Sequence, residues 1–290
     1  MAALALAVSV SVIAATPAFA AFDATFDPGD WILGVQNSTA AANVLEVNLG
    51  AALQYKNAFN SNANILNIGN INAELTTLGG AAWYDNANLF FGVQGARTST
   101  AAAGSADANG DFNSTLYVSN ARAGGGTAGS ANSSAWAIAA SSVSTAAAGM
   151  IQVGNTFTGT PPPGTAVKLI PTSQPNDWSD LNPVAGVTQG TAYGAFVGGI
   201  QYRFDTGLFD DGTFAGLSGI EAVVDMYRIA RFTNGGSTPG QGTYIGSFAI
   251  EHDGDVHFIA TPIPEVNSAM LLGLVPLAGL CLRRRHAVLA

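Results

Sequence analysis

Residues able to do chemistry are few in this chain and thinly spread. Asp107-Ala108-Asn109-Gly110-Asp111 sets oxygen-bearing side chains at alternate positions, as the opening of a calcium loop does. An EF-hand would continue with glycine and then glutamate where Phe112 and Val118 stand, so the run reads as a solvated turn. Asp210-Asp211-Gly212 reads the same way. His252 and His257 straddle the start of a predicted strand, a poor spacing for zinc. Glu221 and Asp225 would share one strand face about 13 Å apart at ~3.3 Å per residue, beyond the ~5–10 Å of a glycosidase pair. Trp83, Trp136 and Trp178 read as core aromatics, with stacking on sugars as the alternative. No nucleophile elbow, Walker loop or dinucleotide fingerprint falls between a strand and a helix, and Gly124-Gly125-Gly126 lies in an Ala/Gly-rich loop. The expectation is therefore a body with no catalytic residue, no metal site and no cofactor.

The elements that would position such residues are mostly strands. In Val44-Leu45-Glu46-Val47-Asn48-Leu49-Gly50 the residues Leu45, Val47 and Leu49 share a face and Glu46 and Asn48 the other, the period of a half-buried strand. Gly29 to Gln36 and Leu89 to Ala96 read as further strands. Asn72 to Gly80 reads as a short helix capped by Asn72 and stopped by glycine. Residues 97–149 are rich in Ala, Ser, Thr, Gly and Asn, and Trp136, Ala139, Ala140, Val143 and Ala147 fall at helical spacing. Thr160-Pro161-Pro162-Pro163-Gly164 is a stiff loop, and Pro171, Pro175 and Pro183 keep the next stretch irregular.

The C-terminal third alternates from Tyr193 to Phe204. From Ile220 to Phe232 apolar side chains occupy both faces, as in a central strand. Asp253-Gly254 between two apolar runs is a hairpin signal. The pattern predicts a mainly β fold, an antiparallel β-sandwich with one or two short helices.

Composition narrows the partners. Charged residues make up 10% of the 290, against about 25% in an average soluble protein. The net charge is −9, and Arg283, Arg284 and Arg285 supply three of the ten basic residues, so the rest is more acidic still. Such a body repels nucleic acid and anionic lipid. The one cysteine, Cys281, lies in an apolar tail, so no disulfide can form within the chain.

Both ends read as targeting segments. Residues 2–15 are small and apolar, Pro17 breaks the helix, and Ala18-Phe19-Ala20 followed by Ala21 fits the cleavage pocket of signal peptidase. No Lys or Arg precedes the apolar run. At the other end, Ala269 to Leu282 carries no charge. A helix over that run would reach about 21 Å, short against a bilayer core of about 30 Å. Arg283–Arg285 would hold the C-terminus on the cytoplasmic side and leave the body outside. Pro264-Glu265-Val266 stands just before the apolar run, and Pro264 favours an extended segment there.

This order of short motif, short apolar helix and arginine cluster resembles the PEP-CTERM sorting signal, with Val266 in place of the second proline. The resemblance implies recognition and cleavage at the motif by a membrane-embedded exosortase. The strand pair at 29–50 and the helix–Trp83–strand run also resemble the opening of such exported proteins. The expected organisation is a signal peptide at 1–20, an exported β-rich domain at 21–262 and a sorting segment at 263–286 ending in a hydrophobic helix and its basic cluster. The expected role is structural or adhesive, in an exopolysaccharide or biofilm matrix. A carbohydrate-binding module and a secreted polysaccharide hydrolase are the alternatives. The expected partners are signal peptidase, an exosortase-like protease, exopolysaccharide and, before processing, the membrane.

Overall fold

The computed structural model describes residues 21–39, 42–57, 65–97, 111–121, 129, 140–159, 165–182, 200–206, 208–209, 221–229 and 242–260. In chain order these form β1 (Asp30–Asn37), β2 (Asn43–Ala51), α1 (Ala52–Asn57), β3 (Ile65–Asn70), α2 (Asn72–Gly79), β4 (Leu89–Arg97), β5 (Thr115–Ala121) and α3 (Ala140–Gly159). They continue as β6 (Val167–Pro171), α4 (Trp178–Leu181), β7 (Gln201–Arg203), β8 (Leu208–Phe209), β9 (Glu221–Ile229), β10 (Gly242–Glu251) and β11 (Asp255–Ile259). The expectation of a mainly β, antiparallel fold holds. The strands belong to one sheet in the order β3-β11-β10-β9-β5-β4-β1-β2-β6, with β7 paired to β4 and β8 to β9. The C-terminal helix expected over 269–282 lies outside the described residues.

The sheet curls. Trp31 on β1 meets Phe248 on β10 and Phe258 on β11, with ring centroids 5.7 and 5.8 Å apart, although three strands separate β1 from β10. Alternation then gives each strand a concave and a convex side. Leu33, Val35, Leu45, Val47, Leu49, Phe91, Val93, Val224 and Met226 join Trp31 in the concave core. Ile32, Val44, Leu116, Val118, Ile170, Tyr227 and Ile229 face the convex side, where α3 lies across β1, β4 and β5.

That second layer changes one expectation. Glu46 and Asn48, read as the solvent side of a half-buried strand, are 0% exposed. The helical cover encloses Glu46, while Asn48 lies under the segment before β1, its Nδ2 donating to the Thr25 carbonyl at 3.0 Å. On α3 the residues Ala146, Ala147, Met150, Val153 and Phe157 form the buried stripe. Met150, Val153 and Phe157 each contribute about 1.5–3 kcal/mol through burial. The stripe takes in Ala147, predicted at helical spacing with Trp136, and runs on to Phe157. Trp136 and Ala139 lie outside the described residues.

Other elements follow local rules. β9 lies between β10 and β5, as its two apolar faces predict. The turn after β10 needs Gly254, whose φ is +84° and whose added Cβ would stand 2.5 Å from the Asn72 nitrogen. α2 ends at Gly80 with φ +87°. Its N-cap position is Ile71, not the predicted Asn72, whose side-chain oxygen instead accepts from Trp83 Nε1 at 2.9 Å. The strand predicted from Tyr193 to Phe204 is described only over Gln201–Arg203. β6 ends at Pro171 on a sheet edge, where a missing N–H costs least.

The segment before β1 ties the two cores together. Phe22 packs on the concave core against Gly69 of β3, while Phe26 enters the convex core against Gly154 of α3. Between them the Asp23 N–H donates to the Asn48 carbonyl at 3.0 Å.

Candidate functional site

A connected group of buried polar side chains lies on the convex face under α3 and α4. The strand register builds it. Lys168 on β6 is opposite Glu46 on β2, Glu46 is opposite Gly34 on β1, Gly34 is opposite Gly92 on β4, and Gly92 is opposite Gln201 on β7. The paired glycines leave a shallow bed. The Trp178 ring lies in it, so close that a Cβ on Gly34 would stand 1.8 Å from Trp178 Cδ2. Asp177 caps α4, its Oδ1 accepting from the N–H groups of Ser179 at 2.6 Å and Asp180 at 3.1 Å.

Glu46 bridges the layers. The Trp178 N–H donates to Glu46 Oε1 at 2.8 Å, and Glu46 Oε2 hydrogen-bonds with the Thr156 hydroxyl of α3. Burial pushes the Glu46 carboxyl up to about 8; Thr156, the Trp178 N–H and Lys168 pull it down, and Asp177 adds to the rise. Burial pushes the Lys168 ammonium the other way, below the usual lysine range. Lys168 Nζ donates to the Phe157 carbonyl and lies 5.3 Å from the Phe157 ring centroid. Beside these, Gln201 Oε1 accepts from Gln36 Nε2 at 2.6 Å and from Trp178 Nε1 at 3.0 Å. Gln201 Nε2 donates to the Asn182 carbonyl at 2.6 Å.

This arrangement holds a layer in place. Glu46 and Asp177 are 0% exposed and Lys168 is 4% exposed, so the described residues leave a reactant no open side at the acid or the amine. The site escaped the sequence because its bonds join residues 110 and 132 positions apart, and only the charge of Glu46 in an apolar strand hinted at it.

The sequence candidates fall elsewhere. Asp111 is buried, a correction to its reading as part of a solvated turn. Arg228 Nε and the Tyr117 hydroxyl each donate to it at 2.8 Å, because β5 and β9 pair beside it. Residues 107–110 and the 210–212 turn lie outside the described residues. The carboxylate of Asp225 accepts from Ser247 Oγ at 2.8 Å and the Gly129 N–H at 2.9 Å, which makes it a tie between β9, β10 and residue 129.

His252 stacks on Tyr84 with centroids 4.0 Å apart, and His257 Nε2 lies 2.8 Å from Glu251 Oε1. That contact has ion-pair distance without hydrogen-bond alignment. Burial raises the Glu251 carboxyl above its usual range. Among the described residues no group of three His, Cys, Asp or Glu side chains is placed to hold a metal. Trp83 and Trp178 are buried, which removes both as surface platforms for a sugar.

Ala21 is described and exposed. Ala18, Ala20, Pro264, Glu265, Val266, Arg283, Arg284 and Arg285 lie outside the described residues. Among those described, no helix is long and apolar enough to cross a membrane. No family model, curated protein or solved structure matches the chain.

Proposed function

We propose that the chain is an exported cell-envelope or matrix protein, sorted by an exosortase-type system and structural or adhesive rather than catalytic. The observation that carries this reading is the order Pro264-Glu265-Val266, uncharged run to Leu282, then Arg283–Arg285, paired with Ala18-Phe19-Ala20 at the other end. In this reading the body is a β-sandwich whose layers are the two halves of the curled sheet, and residues 269–282 form a short hydrophobic helix. Signal peptidase acts after Ala20, the exosortase acts near Pro264, and exopolysaccharide is the surrounding matrix. Trp83, Trp178 and Glu46 are all enclosed, which gives the carbohydrate-binding and hydrolase alternatives no support at those residues.

Deletion of residues 264–290 is expected to change the cellular destination while leaving the thermal midpoint of the body unchanged. Fractionation and a melting curve on the same variant check both halves. An unchanged destination would sink the sorting assignment, and a collapsed midpoint would show that the tail belongs to the fold.

A further inference from the structure

The Thr156 hydroxyl contacts two acceptors, Glu46 Oε2 and the Val153 carbonyl, the latter at 2.5 Å. A hydroxyl has one proton to donate. If Glu46 were ionised, that one proton would have to be shared between the two oxygens, inside a site closed to water. All three contacts are satisfied together by one arrangement. A proton on Glu46 Oε2 is donated to Thr156 Oγ1, Thr156 donates its own to the Val153 carbonyl, and the Trp178 N–H donates to Glu46 Oε1.

The groups around Glu46 are mixed in sign. Lys168 faces it from β6 and favours the charged form. Asp177, just before α4, opposes that form. α3 contributes the uncharged Thr156, and β1 contributes Gly34, which has no side chain.

We propose that Glu46 is a neutral acid in the folded protein, and that its one proton pins α3 to the convex face of the sheet while its other oxygen holds α4 through the Trp178 N–H. The helical cover is thus a proton-dependent layer over the concave core. The balance of protons is simple. When the cover lifts, Glu46 meets water and releases its proton to the medium; when the cover closes, one proton is taken back up. Lifting therefore becomes easier as pH rises, from the ordinary carboxyl value near 4.5 to about 8, and has no further dependence on this group above that. Lys168 contributes with the opposite sign, in a window that ends at its ordinary value of 10.5.

Two measurements test this on the full chain. Infrared spectroscopy at pH 6–7 should show a protonated-carboxyl band that is lost in Glu46→Gln. Hydrogen exchange should show protection of the α3 and α4 amides falling about tenfold per pH unit between pH 5 and 8, after correction for intrinsic rates, while β9 holds its own. Glutamine copies the neutral acid, with Oε1 accepting from Trp178 and Nε2 donating to Thr156. The variant should therefore fold and keep α3 and α4 protected at constant level across that range. A wild-type protein without the band, a glutamine variant that loosens with pH as the wild type does, or a glutamine variant that does not fold would each overturn the proposal.

Discussion

Replacing Trp31 by alanine is expected to remove about 3–5 kcal/mol of stability, the range for deleting a buried aromatic side chain. The residue is 0% exposed and sits where the curled sheet meets itself. Its ring stacks on Tyr55 of α1 at 4.6 Å and 5°, and also meets Tyr117 on β5 at 5.2 Å. With Phe248 and Phe258 it joins the two halves of the sheet through one side chain. Gly95, its neighbour on β4, leaves the space, since a Cβ there would stand 2.6 Å from Trp31 Cδ1. A domain with about 5–15 kcal/mol of net stability would be left marginal. Urea denaturation of Trp31→Ala measures the loss.

Trp31→Phe sharpens that test. Trp31 Nε1 is buried with no hydrogen-bond partner among the described residues. Phenylalanine keeps an aromatic face against Tyr55 and removes the unpaired donor, whose burial carries a penalty of about 1–3 kcal/mol. The phenylalanine variant should therefore recover most of the stability lost in Trp31→Ala. Equal losses in the two variants would mean that ring packing at this position does not hold the halves together.

The legible parts of this fold were those whose cause is local. Leu45, Val47 and Leu49 alternate, Val223 to Ile229 is apolar on both faces, and Asp253-Gly254 turns the chain between β10 and β11. Each pattern is short in sequence and has one structural solution. Contacts between distant segments were not legible. Glu46 looks like a solvent-facing residue until α3 and α4, more than a hundred positions later, close over it. Phe22 and Phe26 have no periodic neighbours, yet each enters a different core. Asp111 belongs to a turn by composition and to an ion pair by the pairing of β5 with β9. β3 and β6, the sheet's two edges, are short strands whose alternation is interrupted by Gly69 or ended by Pro171. The sorting segments proposed for the two ends show the converse: they are read from composition and order alone.

A single methyl group at Gly34 is the sharpest probe of the convex layer. By propensity alone Gly→Ala in a strand should stabilise by about 0.5–1 kcal/mol. Gly34→Ala is expected to do the opposite and cost about 3 kcal/mol, the upper end of the usual overpacking range. The added Cβ would stand 1.8 to 2.2 Å from three atoms of the Trp178 ring, and an indole wedged between α4 and the sheet cannot yield by rotating a terminal atom. To relieve the clash the ring must leave its bed, which breaks its bond to Gln201 and disturbs the backbone bond from Trp178 to Glu46.

The double variant separates this cause from a general weakness of β1. Trp178→Ala alone leaves a cavity and should cost about 3–5 kcal/mol. With that ring gone the Gly34 methyl has room, so Gly34→Ala/Trp178→Ala should be more stable than the sum of the single losses by about 1–3 kcal/mol. Chemical denaturation of the four proteins closes the cycle. Additive losses would mean that the methyl and the indole never meet, and that the polar row on the convex face is not held down by α4.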